Sequence, residues 1–311
     1  MNENGDIDIK LNNNNKRRKQ VILSLLALLI MVTVGILWLV IEKRPDIVFG
    51  MKDLFTPREE IVLKEYELKQ EEFTQVSFFE LQFSKTSNVN YNNNLWLVNN
   101  LYQVDESWEL YLEEFQDTGL LLNREVIKPL AQLLATANKV SQENVYISST
   151  YRTDEKQAEL YREDPEIAAE PGMSEHQVGL AIDLIVKDHG QRQFVKTEAG
   201  KWVNNNCWKF GFIIRYPFLE KKVTGFDFEP WHIRYVGLPH SEIIYQNRLT
   251  MEEYITSLET NHFYQYKNYV FGAVSEEDTR LPEGLRQISI SKDNTGRYII
   301  TGILLGKEEE E

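Results

Sequence analysis

Residues 174–186 read SEHQVGLAIDLIV: a polar run, Ser174-Glu175-His176-Gln177, passes through Gly179 into an apolar stretch that carries a single carboxylate, Asp183. The aliphatic and β-branched content of residues 179–186 predicts a strand. A lone carboxylate inside such a strand is costly to desolvate unless a cation or several donors compensate it. Something positive is therefore expected beside Asp183. Residues 231–236, WHIRYV, have the same character, and period-two alternation puts His232 and Arg234 on one face with Trp231, Ile233 and Tyr235 on the other. A metal ion would satisfy Asp183 and His232 together. With His176 the set offers two imidazoles and one carboxylate, the ligand count of a catalytic zinc site that keeps one position open. Zinc in such a site acidifies water and polarises a carbonyl.

That chemistry also needs a base. Glu229 lies three residues before His232, on the opposite face if the strand were regular, but Pro230 interrupts regularity and predicts a bend that returns the carboxylate toward the metal. Arg152 follows a short predicted strand, residues 145–149 (VYISS), and is the cation expected for an oxyanion. Any one of these residues, taken singly, more often just satisfies neighbouring backbone groups; the reading rests on the set. His189 in an Asp-His-Gly turn, His240 after Pro239 and His262 are expected to pack or face solvent. Cys207, the one cysteine, sits among aromatics as core filler and excludes both a disulfide framework and a thiolate-rich zinc site.

Around this centre the chain of 311 residues, 42% hydrophobic and 12% aromatic, is long enough for one substantial core with appendages. Residues 95–258 read as the folded domain: a first strand at 95–99, a helix at 124–140 with apolar spacing near i, i+3, i+4, i+7, and a helix at 154–161 capped by Thr153. A helix at 196–210 and a strand at 212–216 complete it. Residues 42–94, rich in charge and low in glycine, read as a stalk or linker, and residues 259–311 as a small β-rich appendage ending in a solvated Lys-Glu-Glu-Glu-Glu tail. Residues 1–20 are Asn-rich and expected to be disordered. Residues 21–41 contain neither charge nor proline and match the ~20 residues that a membrane-spanning helix requires. Lys16, Arg17, Arg18 and Lys19 precede that run, so the positive-inside bias predicts a cytoplasmic N-terminus and an extracellular catalytic domain. A cleaved signal peptide fits less well, because the run exceeds a usual h-region and no Ala-x-Ala site follows before Pro45. The formal charge of −14 provides no basic field for nucleic acid.

Four separated motifs, SxYRT (149–153) with Gln157, SEHQVGLAID (174–183), FGFIIRYP (210–217) and EPWHIRYVGLPHS (229–241), resemble in content and order those of the VanY-type D-alanyl-D-alanine carboxypeptidases. That zinc peptidase group also holds L,D-carboxypeptidases and VanX dipeptidases, and the resemblance spans about residues 95–258. It implies an α+β fold, a small antiparallel sheet with flanking helices around a zinc site, joined here to the N-terminal transmembrane helix and the C-terminal β-rich appendage. It further implies Zn2+ held by His176, Asp183 and His232, Glu229 as general base, Arg152 at the reacting carbonyl, and Ser174, Gln157 and Tyr216 at the substrate terminus. Thr150 stands where the family commonly has glycine, and Thr153 where it often has serine. The implied reaction removes the C-terminal D-Ala from a peptidoglycan stem peptide or precursor ending in D-Ala-D-Ala, in glycopeptide resistance or in wall remodelling. Two alternatives stay open: an L,D-carboxypeptidase acting on tetrapeptide stems, and a non-catalytic wall-peptide binding module, which would have no use for Glu229 or Arg152.

Overall fold

The computed structural model describes residues 3–66, 73–75, 89–104, 111–165, 167–275 and 280–304. Helix α1 (Glu3–Lys43) holds the stretch Lys16–Lys43, long and apolar enough to cross a membrane, with its side chains exposed. The helix begins well before the apolar run, so residues 3–20, expected to be disordered, are helical; extending an existing helix adds one hydrogen bond per residue without a new nucleus. After Arg44, Pro45 starts α2 (Pro45–Leu54) at a first-turn position where its missing N–H costs nothing. Short strands β1 (Lys64–Glu65), β2 (Phe73–Gln75) and β3 (Val89–Asn92) follow, then the hairpin β4 (Leu112–Glu114) and β5 (Leu121–Asn123).

Next come α3 (Arg124–Ser141), β6 (Val145–Ser149), α4 (Asp154–Glu163), β7 (Ala181–Val186), α5 (Glu198–Asn206), β8 (Phe212–Ile214), α6 (Lys221–Thr224) and β9 (His232–Tyr235). Strands β6-β7-β9-β8 form a four-stranded, fully antiparallel sheet. One face of it is the core: Ile182, Leu184, Phe212 and Ile233 pack against Val126, Leu130, Leu133 and Ala137 of α3, every one of them buried. That face leaves Asp183 and His232 on the other, where the register pairs them directly. Asn123 caps α3 by accepting the Glu125 N–H at 3.1 Å, and Thr153 caps α4 by accepting the Lys156 N–H at 3.3 Å. The helix expected at 196–210 divides: a 3-10 turn Gln191–Lys196, the Thr197 cap, α5, and a 3-10 turn Cys207–Phe210.

Helices α7 (His240–Gln246) and α8 (Met251–Ser257) lead into β10 (His262–Tyr266), β11 (Tyr269–Ser275), β12 (Arg280–Pro282), β13 (Leu285–Lys292) and β14 (Arg297–Leu304). These strands build a second sheet of order β1-β10-β11-β14-β13-β3, while β12 pairs with β2. The region read as a stalk therefore contributes strands at both edges of the C-terminal sheet; residues 67–72 and 76–88 of it, like the acidic tail, lie outside the described residues. Phe271, Ala273 and Ile299 of this sheet share a buried cluster with Ile213, Ile244, Tyr254 and Ile255 of the body.

Residues 95–99 are not a strand. The Leu95 N–H donates to Ser291 Oγ at 3.0 Å and the Leu97 N–H to the Asp293 carbonyl at 3.2 Å, while Leu95 to Val98 are all buried. The segment is an apolar plug between body and sheet, since its backbone partners are a side chain and a loop rather than a neighbouring strand.

Candidate active site

Three elements carry the site. Ser174 leads into a 3-10 turn, Glu175–Val178, that Gly179 ends at φ 68°, and a Cβ there would meet the Asn123 amide nitrogen at 2.9 Å. Only glycine serves at this corner, which aims His176 at the start of β7. The Arg152 N–H donates to the His176 carbonyl at 3.1 Å and fixes the loop after β6 to the same turn. On β9 the His232 N–H donates to the Glu229 carbonyl at 3.1 Å, closing the bend that Pro230 imposes and bringing Glu229 Oε2 to 3.7 Å from His232 Nδ1.

Asp183 is the hub. Its carboxylate meets Arg152 Nη2 at 2.8 Å, His176 Nε2 at 3.2 Å and His232 Nδ1 at 3.0 Å. Burial alone would raise the Asp183 carboxyl, but His176 and then His232 outweigh it and hold it well below the usual range. One ligand atom from each of His176, Asp183 and His232 lies within 4.8 Å of the others, close enough to share one metal ion. The donor chemistry suits zinc. His176 Nδ1 donates to the Thr150 carbonyl at 2.7 Å, which leaves the Nε2 lone pair facing Asp183. Burial lowers the His176 imidazole and favours the neutral form that ligation requires.

Glu229 differs from Asp183 in the sign of its shift. Burial pushes its carboxyl up to about 7; Asp183 reinforces this, and His232, Arg152 and Arg192 partly offset it. A carboxyl poised near neutrality beside a metal-competent cluster can both accept and return a proton. Arg152 donates through Nε to Ser149 Oγ at 3.0 Å and approaches Gln157 Oε1 at 3.4 Å through Nη1. Gln157, fully buried, also donates to the Ala169 carbonyl at 2.7 Å. The Tyr216 ring is buried, 5.0 Å from the His232 ring and 4.6 Å from Phe226. Ser174 is buried at the entrance to the His176 turn without a side-chain cap bond. The site thus brings together His176, Asp183, His232, Glu229 and Arg152, with Gln157 and Tyr216 touching its edges. Of the remaining histidines, His240 is buried between Tyr254 and Thr301, while His189 and His262 are exposed or half-buried.

Residues 119–238 match the family profile described as VanY: D-alanyl-D-alanine carboxypeptidase. A bifunctional D-Ala-D-Ala dipeptidase and D-Ala-D-Ala carboxypeptidase, VanXYC of Enterococcus gallinarum, is 32% identical over 179 residues, covering 52% of this chain and 93% of the relative. The chain belongs to the VanY-type D-alanyl-D-alanine carboxypeptidase family. A D-alanyl-D-alanine carboxypeptidase of Enterococcus faecium is 32% identical over 193 residues, 60% of this chain, and the chain spans 62% of that relative's length. In fold, the VanY-type chain resembles the vancomycin resistance D,D-dipeptidase VanXYg, solved in complex with a D-Ala-D-Ala phosphinate analog. The TM-score is 0.60 at 24% identity, over 78% of this chain and all of that one.

Beneath the VanY-type site lies a second charged cluster that the sequence reading passed over. Glu175, next to His176, receives Arg215 Nε at 2.6 Å and lies 2.8 Å from Arg234 Nη1, and all three side chains are fully buried. Arg215, next to Tyr216, also reaches Glu252 of α8 at 2.6 and 2.9 Å. Arg234, two residues after His232, donates to the Asn94 and Trp96 carbonyls at 3.1 and 2.8 Å. The available signal was the arginine inside the apolar run FGFIIRYP, a charge as misplaced there as Asp183 is in its own strand.

Proposed function

We propose that the chain is a zinc-dependent D-alanyl-D-alanine carboxypeptidase that removes the terminal D-Ala from peptidoglycan pentapeptide stems or precursors. The observation that carries this reading is geometric: the ligand atoms of His176, Asp183 and His232 lie within 4.8 Å of one another, and Glu229 Oε2 is held 3.7 Å from His232 Nδ1 at the rim of that cluster. A zinc ion held by those three side chains would supply an acidified water and a polarised substrate carbonyl. Glu229 takes the proton of the attacking water and returns it to the amine of the departing D-Ala, a double use that its place beside the cluster allows. Arg152, already oriented by Asp183 and Ser149, offers its guanidinium to the oxyanion. Ser174, Gln157 and Tyr216 line the approach for the substrate terminus.

In the cell, α1 anchors the chain in the membrane with the N-terminus cytoplasmic and the catalytic domain outside, where stem peptides are exposed. Removing the terminal D-Ala destroys the dipeptide that glycopeptide antibiotics bind, so a contribution to resistance follows. The test uses the full chain in detergent with pentapeptide, tetrapeptide and free D-Ala-D-Ala, each with and without a chelator. Release of one alanine from the pentapeptide, abolished by chelation and restored by Zn2+, is the expected outcome. Cleavage of the tetrapeptide instead moves the activity to the L,D class, and turnover indifferent to chelation removes the zinc mechanism.

A further inference from the structure

We infer that α2, the short helix immediately after the membrane-long helix, is a positioning element for the Glu229 carboxylate, with Phe49 and Gly50 its contact residues. The inference rests on the catalytic role proposed for Glu229. Tyr216 and Glu229 are the two ends of one loop, closed by the Glu229 N–H donating to the Tyr216 carbonyl at 3.1 Å. Between them the loop carries Phe218, α6, Phe226 and Phe228. Phe226 packs on Tyr216, while Phe218 and Phe228 turn the other way and meet each other edge to face at 5.9 Å. Phe49 of α2 stacks on Phe228 at 6.4 Å with the rings 7° from parallel. One residue on, Gly50 brings bare backbone against Phe218: a Cβ there would sit 2.4 Å from Phe218 Cγ. The residue preceding the base thus leans on a helix far away in sequence.

The helix is itself held independently of that loop. Arg58 bonds Asp53 at 2.6 Å and donates to the Tyr245 carbonyl at 2.8 Å, and its guanidinium lies 4.0 Å over the Tyr245 ring. Asn247 exchanges two bonds with the Ile61 backbone, at 2.7 and 2.8 Å. Arg248 donates to the Asp53 carbonyl at 3.0 Å. At the other end Asp46, only 2% exposed, takes Arg44 at 2.9 Å and faces Arg192 Nε at 3.7 Å, and Arg192 lies in the turn after β7. A wall fixed at both ends is what a loop needs to hold a carboxylate to the sub-ångström tolerance that a proton transfer demands.

The test uses the full chain in detergent micelles carrying Phe49→Ala, Gly50→Leu, the conservative Phe49→Tyr, and the control Met51→Ala on the exposed side of α2. Readouts are kcat and KM on an acyl-D-Ala-D-Ala peptide, zinc bound per chain, and hydrogen exchange of the amides between Tyr216 and Glu229. Phe49→Ala and Gly50→Leu are expected to lower kcat by about tenfold or more with KM and zinc content retained. Exchange in the loop then rises, whereas Phe49→Tyr and Met51→Ala behave as the parent. Unchanged loop exchange in both disruptive variants overturns the inference whatever the activity. Loss of zinc in step with kcat overturns it in favour of general unfolding. A parent chain without turnover refutes the proposed function alone, because hydrogen exchange still reports on the loop.

Discussion

Two buried charge clusters lie side by side in this molecule and share chain neighbours, Glu175 with His176, Arg215 with Tyr216 and Arg234 with His232, yet they are built on opposite principles. In the inner cluster two arginines face two carboxylates with distances down to 2.6 Å, and Glu175, Arg215 and Arg234 exclude solvent completely. Burial would lower the Arg215 guanidinium, but Glu175 and Glu252 raise it well above its ordinary value. In the outer cluster Asp183 and Glu229 keep 14% and 13% of their side chains accessible, and their carboxyls shift in opposite directions. Burial lowers the neighbouring Arg234 guanidinium, so the difference between the clusters is one of access: the inner one matches two arginines to two carboxylates out of reach of solvent, whereas the outer one stays open. The open cluster, with one carboxyl held low and the other raised, is the one to which the proposed chemistry is assigned.

The comparison can be broken by variants that treat the clusters alike. The largest effect expected is on turnover: Glu229→Gln should lower kcat by about 1,000-fold with zinc still bound, read by D-Ala release beside metal analysis of the same sample. Next is stability. Glu175→Gln leaves two buried arginines with one carboxylate and should cost about 4 kcal/mol in denaturant unfolding. Third is a pH effect in the metal-free chain. The Glu229 carboxyl is raised from 4.5 to about 7 on folding, so the stability it contributes is full below pH 4.5 and lost as pH rises through 7. The loss amounts to about 3 kcal/mol by pH 8, and Glu229→Gln should abolish that dependence in unfolding curves at pH 5 and pH 8. The smallest effect is Glu252→Gln, where Arg215 keeps Glu175; a loss of about 2 kcal/mol with turnover within a few-fold of the parent is expected. Equal stability losses for Glu229→Gln and Glu175→Gln at pH 8 would erase the distinction between the clusters.

Much of the outer cluster was legible because its residues break local patterns. Asp183 interrupts an aliphatic strand, His232 falls on the polar face of an alternating one, and Pro230 announces the bend that returns Glu229. The strands β6, β7, β8 and β9 and the capped helices α3 and α4 follow from periodicity and caps for the same reason: their signals are local. What stayed hidden depends on partners distant in sequence. Residues 95–98 have the composition of a strand, and only the location of Ser291 and Asp293 makes them a plug. Arg152 could be read as an oxyanion cation, but not as the partner of Asp183, because that pairing needs the register of β6 against β7. The docking of α2 hangs on contacts such as Arg58 with Tyr245, 187 positions apart. No periodicity records those.

The C-terminal sheet imposes an order of events on the chain. Its parallel strand pair joins Val89 to Ile288, and Leu95 waits for Ser291 across 196 positions, so the β3 edge cannot close until nearly all of the polypeptide has emerged. Contacts of such long range slow the search for the native state, since the entropy of the intervening loop is lost before the pairing repays it. The helices and the four-stranded sheet, whose contacts are nearer neighbours, can assemble first. The last strands to appear then act as the latch, and a chain interrupted before β13 would leave the plug without Ser291 and Asp293 to seat against.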